Sequence, residues 1–178
     1  MRMSRLVPTL AAVAASLALA ACSSFSVDTN YDPSASFEGL RTYAWREPAR
    51  ESGDPLTLKL VRDAADADLA ARGYQAVAAQ PDFTIGQLVV VRQKVDVQFV
   101  DDYWGYSYRA AGPRWSSTYV TTYDEGTIVL DVANGATGEP MWRGSATGMV
   151  DTGATPEERQ QRIREAVAGV LAEFPPKK

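Results

Sequence analysis

The sequence predicts an α+β two-layer sandwich: a mostly antiparallel sheet of five or six strands with two helices packed on one face. Three observations carry this. Residues 54–73 and 155–174 each repeat apolar side chains at helical spacing along one side only. Residues 25–31, 40–45, 83–99 and 119–150 instead alternate with a period of two, as half-buried strands do. Turn-forming clusters such as Asp32-Pro33-Ser34 and Asn134-Gly135 separate the strand-like runs.

In chain order, residues 1–21 come first and are not part of the fold. Arg2 and Arg5 form a positive start, Leu6 to Leu19 an apolar run, and small residues lead to Cys22. This is the anatomy of a secretory signal. The apolar run is shorter than the ~20 residues of a membrane-spanning helix. Leu19-Ala20-Ala21-Cys22 resembles the lipobox of bacterial lipoproteins position by position. That resemblance implies a diacylglyceryl group on the Cys22 sulfur, cleavage before Cys22, and acylation (palmitate or similar) of the new amino terminus. Several acyl chains give stable anchoring where one would be marginal. Ser23, rather than Asp, follows the cysteine; by resemblance to enterobacterial sorting this implies a periplasm-facing protein on the outer membrane.

Residues 22–24 form a short lipidated tether, and one domain occupies 25–178. Phe25, Val27, Thr29 and Tyr31 alternate with polar residues as a first strand. Leu40 to Trp45 reads as a second, followed by a polar loop over 47–53. Asp54 as N-cap and Pro55 at the first helical position open a helix. Its stripe is Leu58, Val61, Ala65 and Leu69, with Leu60 and Ala64 beside it. Arg62 with Asp66, and Asp68 with Arg72, are spaced as i,i+4 pairs on the outer side, and Gly73 suits a left-handed C-cap.

Odd positions from Phe83 to Phe99 are apolar through a long strand, with Gly86 as the expected site of a bulge. From Tyr119 to Val132 strand character resumes, with an expected interruption at Gly126. Asn134-Gly135 signals a hairpin, and Met141 to Val150 is the return strand. Thr155-Pro156-Glu157-Glu158 is a capping box opening the second helix, whose apolar positions are Ile163, Ala166, Val167, Val170, Leu171 and Phe174. Pro175-Pro176 stops it.

Composition removes several classes of function. There is no histidine, and the one cysteine is Cys22, so the usual zinc and copper ligand sets are missing and no metal or cofactor is expected. Ser-His-Asp and Cys-His catalysis are excluded with them. The net charge of −4 becomes −6 once Arg2 and Arg5 leave with the signal, which gives no footprint for nucleic acid. The serine-rich stretches at 23–26 and 116–118 lack a Ser-x-x-Lys arrangement, and Gly144 to Gly153 lacks the pattern and lysine of a phosphate loop.

Val27-Asp28, Phe37 through Tyr43-Ala44-Trp45, Asp54-Pro55-Leu56, Leu69-Ala70-Ala71-Arg72-Gly73-Tyr74, Pro81-Asp82-Phe83, Glu125-Gly126-Thr127, Trp142-Arg143-Gly144 and Phe174-Pro175-Pro176 occur in an order and spacing that resemble the DUF4136 family of bacterial lipoproteins. The resemblance spans nearly the whole mature chain. It implies an envelope lipoprotein with an α+β fold and no particular activity.

Residues 101–116 break the strand pattern and hold Tyr103, Trp104, Tyr106, Tyr108 and Trp115, with Arg109 and Arg114. Tyr, Trp and Arg are the residues enriched at interface hot spots. This segment is the candidate contact surface for an envelope protein, a glycan strand or the membrane; its bland reading is a long connection whose rings fold back on the sheet. The carboxylate pairs Asp101-Asp102 and Asp124-Glu125, or Asp101 with Glu125, would serve a glycoside hydrolase only if held about 5–10 Å apart in a cleft, and solvated loop carboxylates are the commoner case. Tyr43, Trp45 and Trp142 fit a core better than a pocket, and Arg143 is placed to lie over a ring. The expected function is therefore a non-enzymatic, outer-membrane-anchored binding or accessory module. A glycan or small-ligand binder with a pocket between sheet and helices, and a carboxylate-based hydrolase, are the alternatives.

Overall fold

The structure is a computed structural model that describes residues 25–47, 53–100 and 117–177. It contains β1 (Phe25–Tyr31), β2 (Thr42–Trp45), α1 (Pro55–Ala71), β3 (Gln75–Ala76), β4 (Phe83–Val100), β5 (Ser117–Asn134), β6 (Pro140–Met149) and α2 (Pro156–Leu171). The strands form one open sheet in the order β1-β6-β5-β4-β2-β3. The pairs β1–β6, β6–β5 and β5–β4 are antiparallel, whereas β2 runs parallel to both β4 and β3. The α+β sandwich expected from sequence is present, with six strands and a parallel edge.

Both helices lie on the same face, and their predicted stripes are the surfaces they bury. Leu58, Val61, Ala65 and Leu69 of α1 and Ile163, Ala166, Val167, Val170 and Leu171 of α2 join Tyr43, Phe83, Ile85, Ile128, Leu130, Val132, Trp142 and Ala146 of the sheet in one core. Gly144 allows α2 to come this close. A Cβ there would lie 2.4 Å from Trp142 Cη2 and 2.6 Å from Val170 Cγ1. Phe174, just past α2, closes the bottom of the core against Phe37, Tyr74, Phe83 and Trp142.

The helix starts follow the predicted chemistry. Asp54 accepts from Thr57 N at 2.8 Å, and Thr155 and Glu158 exchange both hydrogen bonds of a capping box. Such caps each contribute about 1 kcal/mol. Gly73 takes a φ of 89°, as a left-handed cap requires. Asp68 and Arg72 pair as expected, and Arg72 also donates to the Leu171 and Phe174 carbonyls, joining the two helix ends.

Several expectations are corrected. The second strand begins at Thr42, not Leu40, and a two-residue β3 that the sequence does not announce pairs beside it. Gly86 is no bulge: it pairs in register with Asp131. It is small because Arg46 crosses it, a Cβ there falling 2.7 Å from Arg46 Nη2. The irregularity lies instead between Val132 and Ala133. Gly126 does not interrupt β5, which runs unbroken through it. The turn expected over residues 133–140 is present, with β5 ending at Asn134 and β6 starting at Pro140. The Asn134 side chain accepts from Ala136 N and Thr137 N to shape it. Asp66 turns inward to β2 rather than pairing outside with Arg62, accepting from Tyr43 Oη at 2.7 Å and Trp45 Nε1 at 2.8 Å. Arg62 lies over the Trp45 ring, 5.0 Å from its centroid.

Asp82 ties the start of β4 to the start of β2. Its carboxylate accepts from Arg41 N, Thr42 N and Thr42 Oγ1 at 2.8–2.9 Å. Those donors, the Arg41 amide first, hold its carboxyl below the usual range. A depressed folded pKa contributes stability that is present above the unfolded value near 4 and is lost as pH falls through the folded value. The urea midpoint is therefore expected to fall on acidification below about pH 4, and to fall less steeply in Asp82→Asn. Parallel acid limbs for the two proteins would contradict this.

Candidate functional site

Strand alternation sorts the sheet into two faces. On the helix face, successive cross-strand rows read Trp45–Ile85–Val132–Trp142–Tyr31, then Gln87–Leu130–Gly144–Thr29, then Val89–Ile128–Ala146–Val27, then Val91–Gly126–Gly148–Phe25. The last row has side chains only at its edges. Beyond Arg92–Glu125–Met149, β4 and β5 continue alone, residues 93–100 pairing with 117–124. At about 3.4 Å per residue this two-stranded extension runs ~27 Å past the rest of the sheet. β1 begins at this same end, with Phe25.

Both helices also start here, and between their first turns and the glycine row lies a cavity of about 400 Å³. Its walls include Phe25, Val89, Val91, Ile128, Ile163 and Ala166, with Val150 and Thr57 at the mouth, while the Met149 side chain alternates to the helix-free face opposite Glu125. The size falls within the ~300–1,000 Å³ of small-ligand pockets. Its charged lining residues are Asp151, Arg159 and Arg162. Asp54 caps α1, and its carboxyl is held low by the Thr57 backbone N–H first, then by the Thr57 hydroxyl, with the Arg159 charge adding to this. Asp151 accepts from Gly153 N and from Arg162 Nη2 at 3.2 Å. What remains is an apolar surface. Leu56, Val91, Met149 and Val150, with exposures of 62, 57, 66 and 38 %, stand around this end, and Val95 and Val120 continue it along the extension.

Sequence reasoning placed a pocket between sheet and helices but not these residues. The cavity exists because Gly126 and Gly148 fall side by side, 22 positions apart in the chain. Gly126 was legible only as a residue out of place in a strand.

The predicted site residues fall as follows. Cys22, Tyr103, Trp104, Tyr106, Tyr108, Trp115 and the pair Asp101-Asp102 lie outside the described residues. Asp124 and Glu125 are adjacent on β5 and face opposite sides of the sheet. Lys94 Nζ sits 3.2 Å from Glu125 Oε1 on the helix-free side, so the structure does not bring this pair together. Tyr43 and Trp142 are core residues, and Trp45 packs against them. Among the described residues Arg143 lies over no ring; it binds Asp131 through Nε and Nη2 on the helix-free face, at 2.5 and 3.0 Å. Among the described residues no group of three or more His, Cys, Asp or Glu could hold a metal ion, and no helix is long and apolar enough to cross a membrane.

Fold and pocket define a class: an open-sheet α+β domain with an apolar cavity at the end from which a long strand pair projects. The family described as a domain of unknown function, DUF4136, matches residues 27–176, and the chain belongs to that family. No curated protein matches it. Among solved structures, a PDZ domain protein from Parabacteroides distasonis is similar with a TM-score of 0.57 at 10 % identity, over 86 % of this chain; this chain spans 37 % of that one. PelC from Paraburkholderia phytofirmans, crystallised as a dodecamer, is similar with a TM-score of 0.51 at 12 % identity, over 86 % of this chain and 99 % of PelC. At such identities the likeness is one of fold.

Proposed function

We propose that this protein is a non-enzymatic binding module held by lipid at Cys22 on the periplasmic side of the outer membrane, with its contact surface at the anchored end of the sheet. One observation carries the reading: Phe25, three residues after Cys22, and the projecting ends of β4 and β5 that lead into 101–116 lie at the same end. The anchor and the aromatic-rich segment therefore work on one side of the domain. Tyr103, Trp104, Tyr106, Tyr108 and Trp115 supply the amphipathic rings that serve both protein contacts and membrane–water boundaries. The partner is an envelope protein or glycan at that boundary.

Two measurements test this. Cys22→Ala is expected to leave the precursor uncleaved and to abolish lipid labelling; wild-type processing of the variant would contradict the anchor. Acrylamide quenching of Trp104 and Trp115, read in chains whose Trp45 and Trp142 are replaced by Phe, is expected to show both rings accessible. Shielded rings would remove 101–116 as the contact surface.

A second reading is favoured by the cavity itself, as the site of a small apolar ligand rather than a glycan. Its walls present hydrocarbon, whereas sugar recognition needs polar groups aimed inward.

A further inference from the structure

The cavity opens where the chain enters the sheet. Phe25 forms part of its wall, and Cys22 precedes Phe25 by three residues, a reach of ~10 Å in extended chain. The geometry points to this cavity as the seat of one acyl chain carried by the protein's own lipidated Cys22. The inference rests on the lipid-anchor reading above and adds an occupant for the pocket.

The lining argues for hydrocarbon without a charged head. Of the charged lining residues Asp151 and Arg162 pair with each other and Arg159 adds its charge beside Asp54, and the first turn of α2 is closed by its own capping box. The wall offers Phe25, Val89, Val91, Ile128, Ile163 and Ala166 over a floor of two glycines, a slot that the described side chains leave unfilled. Leu56 and Val150 are exposed apolar residues at this same end of the domain, where β1 begins. A covalently linked chain reaches such a slot at far higher effective concentration than free lipid does. The other acyl chains implied at Cys22 would keep the protein on the membrane, since two suffice.

Methionine provides the probe. Once residues 1–21 are removed, Met141 and Met149 are the methionines of the chain. Val91→Met adds one on the cavity wall, while Met149, paired with Glu125 on the helix-free face, and Met141, buried at the opposite end of β6, are the comparisons. The full-length protein, grown with diazirine-bearing photo-methionine, is isolated from membranes, irradiated, digested and analysed by mass spectrometry.

The expected product joins the Val91→Met peptide to the acylated Cys22 peptide, with none from Met141 or Met149. Its yield should fall at least about tenfold in Gly126→Val, because a filled floor leaves a close-packed slot no room for a chain. A Cβ at Gly126 meets only the movable Val150 Cγ2 at 2.9 Å, so the variant should fold, as circular dichroism would show. A product retained in folded Gly126→Val would overturn the inference in favour of surface contact. Free lipid on the Val91→Met side chain in place of the Cys22 peptide would overturn it in favour of a bilayer chain. No product at Val91→Met beside an acylated Cys22 peptide would also overturn it, leaving the anchor reading standing. An unacylated Cys22 peptide would remove both.

Discussion

Phe174→Ala is expected to lower the free energy of unfolding by about 3–5 kcal/mol, the range for truncating a buried aromatic. Phe174 is 3 % exposed and meets four rings: Trp142 at 5.2 Å, Phe83 at 5.5 Å, Tyr74 at 6.0 Å and Phe37 at 6.2 Å between centroids. These rings come from β6, β4, the segment after α1 and the segment before β2, so one side chain ties four parts of the chain to the end of α2. A domain of this size has about 5–15 kcal/mol in hand, so the loss takes a large share of it. Urea denaturation followed by circular dichroism reads it. A loss under about 1 kcal/mol would mean that the segment after α2 does not close the core.

Asp66→Ala comes next, with an expected loss of about 3 kcal/mol. The change removes the acceptor of both Tyr43 Oη and Trp45 Nε1, and each shielded donor left unmatched costs about 1–3 kcal/mol. Asp66→Asn, which keeps a carbonyl acceptor, should lose less. The same site sets the alkaline limit. Burial first, then the hydrogen bond to Asp66 and its charge, push the Tyr43 hydroxyl well above its ordinary value, and burial raises Tyr74 in the same direction. A raised folded pKa contributes stability that is full below the unfolded value near 10 and is lost as pH rises through the folded value. The urea midpoint should therefore fall above about pH 10, and fall less in Tyr43→Phe. Equal alkaline slopes would contradict the coupling.

Both helices were legible in the sequence because their determinants are local. Asp54-Pro55 and Thr155-Pro156-Glu157-Glu158 carry their own start signals, and the apolar stripes need only neighbours three and four positions away. The long strands were legible for the same reason, through alternation. Gly86 and Gly126 were misread because their reasons are not local. Gly86 answers to Arg46, forty positions earlier, and Gly135 packs so closely on Pro81 that a Cβ would overlap its carbonyl. The pairing of Gly126 with Gly148 is a property of register, which period-two patterning constrains only to one face. Strand β3 is too short to show alternation at all. The inward turn of Asp66 follows from Tyr43 and Trp45 on β2, which no helical spacing rule contains.

For the site, motif and composition marked Cys22 and the aromatic-rich 101–116 segment, but only the sheet order shows that β1 enters at the end from which β4 and β5 project. The cavity needed side chains from four strands and two helices to be placed before it existed.

The most direct test of a contact surface at the anchored end is site-specific photo-crosslinking in intact cells. A photoreactive residue at position 104 or 107 is compared with one at Ala67, an exposed position on α1. A discrete adduct from 104 and 107 that is absent at 67 is the expected result, and its mass identifies the envelope partner. The same adducts at all three positions, or none from 104 and 107, would contradict the account.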